Sequence, residues 1–151
     1  MNWAHVHLAI NHAPVILTPV AAAVLGAGWA RKSVDLTRAG FVILAFAAAT
    51  GAGAYFTGEP AEDVVKNLPA VSDSAIEEHE EAALFAAVAT GLGGLLALGA
   101  LVMRRTPTWL LPAAFALALL ATLILAQTAN LGGRISHPEI RGATAAPSPA
   151  S

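Results

Sequence analysis

The residues best equipped for chemistry are five histidines, His5, His7, His12, His79 and His137. Imidazole ligates transition metals and haem iron, and its proton leaves near neutral pH. His12 lies a few residues inside an apolar stretch, a depth at which an ionisable side chain is by default a functional candidate. His5 comes seven residues earlier, on the same face if a helix reaches that far. His79 is set in the acidic string Glu77-Glu78-His79-Glu80-Glu81, and His137 ends the string Gly132-Gly133-Arg134-Ile135-Ser136-His137. His79-Glu80-Glu81-Ala82-Ala83 lacks the second histidine of a zinc-protease helix. The sequence also has no nucleophile elbow, no phosphate loop and no catalytic carboxylate pair, so enzymatic turnover is not expected. With no cysteine at all, disulfides, thiolate-held iron–sulfur clusters and covalently attached haem are excluded.

These histidines must be positioned by a very apolar chain. Of its 151 residues 56% are hydrophobic and 12% charged, with a mean hydropathy of +0.65. Soluble domains carry about twice that share of charge, so a disordered chain or a soluble enzyme does not fit. The net charge of −2 offers no basic surface, and no nucleic-acid partner is expected.

Four apolar stretches, 8–30, 36–57, 82–103 and 109–131, each match the ~20 residues that cross a bilayer as a helix. Arg38 is the one charged residue inside them. The first stretch is expected to be a retained helix rather than a signal peptide. It lacks a basic leader segment, its apolar run is too long, and Trp29 stands where a small residue would be cleaved.

The link between the first and second stretches holds Arg31, Lys32 and, at its edge, Arg38 against the single acid Asp35, and the link 104–108 holds Arg104 and Arg105 with no acid. The positive-inside rule puts both links in the cytoplasm. The expected fold is therefore all-α: a four-helix transmembrane bundle, up-down-up-down, occupying residues 1–141 with both termini outside. Nine of the ten acids and all five histidines then fall on the outer side. The outer loop 58–81 is expected to be partly helical, bounded by Pro60 and Pro69, with Ser74 and Glu77 forming a capping box for the third helix. Residues 142–151 read as a disordered Ala/Pro/Ser tail. Glycines and alanines such as Gly51, Gly94 and Ala97 supply close helix packing, and Pro14 and Pro19 are expected to bend the first helix.

In such a bundle the first and third helices are diagonal, so His12 and His79 are expected to face each other. That suits one b-type haem near the outer face, with Arg134, Arg141 or Lys66 pairing its propionates. Electron transfer to a quinol or a periplasmic partner would stay on one side of the membrane. The alternative is a zinc, copper or iron site made by His12, His79, His137 and Glu59. A third possibility is a cofactor-free accessory subunit of a larger membrane complex, or a homo-oligomer.

The strings Asn11-His12-Ala13-Pro14, Tyr55-Phe56-Thr57-Gly58-Glu59-Pro60, Glu78-His79-Glu80 and Gly132-Gly133-Arg134-Ile135-Ser136-His137-Pro138-Glu139 resemble a bacterial family of small four-helix membrane proteins with a His-x-Pro motif in helix 1. The resemblance extends to Arg141. It implies a multi-pass protein of the bacterial inner membrane and candidate site positions, but no reaction. In outline the chain is also similar to four-helix b-type cytochromes, which hold haem through histidines on opposed helices.

Overall fold

A computed structural model describes residues 2–66 and 71–137 and shows four helices. These are α1 (Trp3–Arg31), α2 (Val34–Val65), α3 (Asp73–Val102) and α4 (Leu110–Ser136). Each helix packs on its neighbour in sequence and α4 closes back on α1, so α1 and α3 are diagonal, as are α2 and α4. This is the all-α, up-down-up-down bundle expected. All four helices are long and apolar enough to cross a bilayer, and only 28–39% of the most apolar 18-residue window of each is buried. The remainder faces outward and carries side chains such as Phe46, Leu95 and Leu123, each more than half exposed. Helices apolar on every side require lipid around them. The chain is a multi-pass membrane protein.

Local chemistry sets the helix ends. Asn2 and Ser33 accept hydrogen bonds from the backbone N–H of His5 and Leu36, starting α1 and α2. The cap of α3 is Ser72, whose side chain accepts from Ala75 N–H, so the helix starts slightly before the expected Ser74. Helix α1 stops at Lys32, whose N–H reaches back to Gly28 and Trp29 carbonyls, while Ser33 N–H bonds the Gly28 carbonyl at 2.9 Å. Helices α2 and α4 run further than the apolar stretches that announce them. Pro60, expected to bound a loop, lies inside α2. A proline there removes only the donor for the Phe56 carbonyl, near the polar end where water can replace it. Pro14 and Pro19 likewise sit inside an uninterrupted α1.

The buried positions follow one rhythm, with alternating steps of three and four residues. In α1 the seam is Pro14, Thr18, Ala21, Leu25, Gly28, and in α2 it is Gly40, Leu44, Ala47, Gly51, Ala54, Gly58, Ala61. In α3 it passes through Ile76, His79, Ala83, Ala86, Thr90, Gly93, Ala97 and Ala100. In α4 it passes through Ala114, Ala118, Ala121, Leu125, Thr128 and Gly132. A 3.5-residue period is that of knobs-into-holes packing. The small residues let backbones approach where lipid gives no hydrophobic drive for association. A β-carbon on Gly28 would come within 2.7 Å of Thr37 Oγ1, and one on Gly94 within 2.3 Å of Ala48 Cβ. The apolar core gathers in the half containing Ala21, Leu25, Phe41, Leu44, Ala97 and Ala114. The opposite half ends in histidines.

Candidate functional site

Extended one heptad towards the N-terminus, the α1 seam runs through Asn11 to His7, not to His12. His7 is half-buried and crosses to α2, where its Nδ1 lies 3.0 Å from the Ala54 carbonyl and 3.2 Å from Thr57 Oγ1. The Thr57 hydroxyl itself donates to the Gly53 carbonyl at 2.9 Å. Diagonally opposite, His79 is half-buried on the α3 seam and crosses to α4, its Nδ1 3.1 Å from the Thr128 carbonyl. Both rings lie at the same end of the bundle, on its diagonal helices.

A carbonyl oxygen only accepts, so in each neutral ring Nδ1 carries the proton and donates it. The lone pair is left on Nε2. Neither Nε2 has a hydrogen-bond partner among the described residues. A backbone carbonyl holding Nδ1–H is the usual outer support of a metal-ligating histidine, fixing both tautomer and ring orientation.

The flanking helices give these rings room. A β-carbon on Gly132 of α4 would lie 3.0 Å from His79 Cε1, and one on Gly58 of α2 would lie 3.9 Å from His7 Cε1. The imidazole of His79 thus occupies space that a side chain on α4 would fill, while a β-carbon on Gly58 would meet His7 at ordinary contact distance.

The other residues singled out from sequence lie elsewhere. His12 is exposed, its Nδ1 bonding the Leu8 carbonyl of its own helix at 2.5 Å. It stands off the seam, so the pairing of His12 with His79 across the bundle is not formed. His5 is exposed as well, as the seven-residue spacing requires if His12 faces outward. Glu59 is exposed near the end of α2, and His137 is exposed just beyond α4. Among the described residues no three of His, Cys, Asp and Glu stand together as an ion would need. The set His12, His79, His137 and Glu59 is therefore not brought together. Arg134, in the last turn of α4, is exposed and engaged with another group. Arg141 and the tail 142–151 lie outside the described residues.

Acids gather at this end of the bundle. Glu80, in the stretch of α3 that precedes the apolar segment, faces Glu62 and Glu59 of α2 and has Glu77 one turn before it. Partial loss of water, a hydrogen bond with Glu62 and the surrounding negative charge raise its carboxyl above the ordinary range. Lys66 at the end of α2 pairs with Asp63.

The fold and site together define a four-helix multi-pass membrane protein with a diagonal histidine pair at one polar end. No family model matches the sequence, and no curated protein or solved structure gives a significant match.

Proposed function

We propose that the protein binds one b-type haem at the histidine end, with His7 and His79 as its axial ligands, and carries electrons on that side of the membrane. The observation that carries this reading is the tethering of both seam histidines: Nδ1 of each is held by a carbonyl of a neighbouring helix, which leaves Nε2 unbonded. Haem iron receives four ligands from the porphyrin and needs two from protein, whereas a bare zinc or copper ion usually needs three or four. Two imidazoles without a third close ligand among the described residues match the first requirement and not the second. Ala54, Gly58 and Gly132 beside the rings carry little bulk, which favours a flat ligand. Bound haem would supply reversible one-electron iron chemistry. By the positive-inside rule the site faces outward, towards a quinol or a periplasmic partner, in a bacterial inner membrane.

The test is an absorption spectrum of the detergent-purified protein from haem-supplied cells, air-oxidised and then reduced with dithionite. A Soret band that sharpens on reduction, with α and β bands, is the expected result. His7→Ala and His79→Ala each abolish that low-spin spectrum, while His12→Ala and His137→Ala leave it unchanged. A featureless visible spectrum would overturn the proposal and favour a cofactor-free subunit of a larger complex. Loss of the bands in His12→Ala would overturn the ligand assignment.

A further inference from the structure

At the end of the bundle remote from the histidines, a cleft of about 640 Å³ opens between the α1–α2 and α3–α4 links. Lys32, Arg38 and Arg104 line it, and no acidic side chain does. Among the described residues none of these three cations forms a salt bridge. Thr106 also lines the cleft, and its hydroxyl makes no hydrogen bond among the described residues. Met103, about half exposed, and Leu111 give it an apolar side. Three positive charges around one partly apolar space repel one another unless an anion joins them.

Two features locate and shape this cleft. Trp29 and Trp109 are about half exposed at the same end, as expected of side chains at the level of lipid head groups. Lys32 has a left-handed backbone, φ 51°, at the helix-ending position where glycine is the residue without steric penalty. The chain puts a long cationic side chain there instead, on the rim of the cleft.

We infer that this cleft binds the phosphate of one anionic phospholipid, held by Lys32, Arg38 and Arg104, with the start of an acyl chain lying against Met103 and Leu111. The apolar side is what distinguishes a lipid from a soluble phosphate ester, which offers nothing to cover it. General attraction of basic loops for an anionic membrane would draw equally on Arg31 and Arg105, which are exposed at this end and do not line the cleft.

The experiment is native mass spectrometry of the full chain in neutral detergent, titrated with phosphatidylglycerol and, separately, phosphatidylcholine. The expected result is retention of one phosphatidylglycerol per chain in preference to phosphatidylcholine. Affinity should fall about thirtyfold in Arg38→Gln/Arg104→Gln. It should be unchanged in Arg31→Gln/Arg105→Gln, which has the same net charge. Excess glycerol 3-phosphate should fail to displace the lipid. Equal loss in both double variants, or no preference for the anionic lipid, would overturn the site. Displacement by glycerol 3-phosphate at matched concentration would overturn the lipid assignment in favour of a soluble phosphate. If circular dichroism shows that the cleft double variant does not fold, Lys32→Gly carries the test: it relieves the left-handed backbone, and the inference requires weaker lipid binding from it all the same.

Discussion

Gly132 of α4 faces the imidazole of His79 so closely that a β-carbon on it would lie 3.0 Å from Cε1 and 3.4 Å from Nδ1. The same ring is tied to the Thr128 carbonyl, one turn earlier on α4. One helix therefore both anchors His79 and leaves space for it. On the haem reading proposed above, Gly132→Ala is expected to push the ring off Thr128 and lower haem affinity about 10–100-fold, as loss of an outer support does for metal-ligating histidines. Haem titration of the variant beside Gly133→Ala, one position off the seam, checks this. Equal affinities would show that the contact does not position the ligand.

How far the sequence reveals this site depends on which signal is followed. Hydropathy finds four spans and basic links, because lipid imposes a length and an apolarity that composition records directly. Depth alone points to His12, the histidine furthest inside an apolar run. The structure buries a different one, since the face of a helix is set by packing rhythm. The steps Gly28, Leu25, Ala21, Thr18, Pro14 lead back through Asn11 to His7 and leave His12 outside. That rhythm was present in the sequence as a ladder of mostly small residues, but helices apolar on every side hide it from a hydrophobicity pattern. The carbonyls of Ala54 and Thr128 were not legible at all. Backbone acceptors have no residue type, and only the pairing of helices brings them to a ring.

The glycines divide by what surrounds them rather than by their spacing. A β-carbon on Gly94 would overlap Ala48 Cβ at 2.3 Å, whereas one on Gly51 would meet Pro14 and Thr90 at ordinary distances of 3.7 and 3.8 Å. Gly94→Ala is therefore expected to destabilise the α2–α3 contact by about 1–3 kcal/mol, the usual range for overpacking. Gly51→Ala should be neutral or slightly stabilising. Unfolding in mixed detergent–dodecyl sulfate micelles gives both values, and equal losses would mean that the close approach at Gly94 is not maintained.

Thr18 is fully buried on the α1 seam, and its hydroxyl has no hydrogen-bond partner among the described residues. Thr90, across the bundle on α3, donates instead to the Ala86 carbonyl at 2.7 Å. A buried hydroxyl without a partner costs about 1–3 kcal/mol relative to an apolar group of the same shape. Thr18→Val should then raise stability by about 1 kcal/mol. Thr90→Val should gain nothing, because it gives up a bond already made. The same unfolding assay decides this, and a loss in Thr18→Val would reveal a partner such as an ordered water.

The acid cluster gives the polar end a pH dependence whose sign can be worked out. Glu80 has a folded-state carboxyl raised by lost water, by its hydrogen bond with Glu62 and by the charges of Glu62, Glu59 and Glu77. A proton is therefore held more tightly in the folded chain than in the unfolded one. The associated stability is fully present below the ordinary carboxylate value and is lost as pH rises through the raised one. The contact between α2 and the start of α3 should accordingly weaken as pH rises from the ordinary carboxylate range through the raised value. Glu80→Gln, which keeps the shape and removes the ionisation, should flatten that slope and hold the higher stability at neutral pH. Thermal melts of the wild-type and variant proteins across this range read both effects. An unchanged slope in Glu80→Gln would assign the titration to another carboxylate of the cluster.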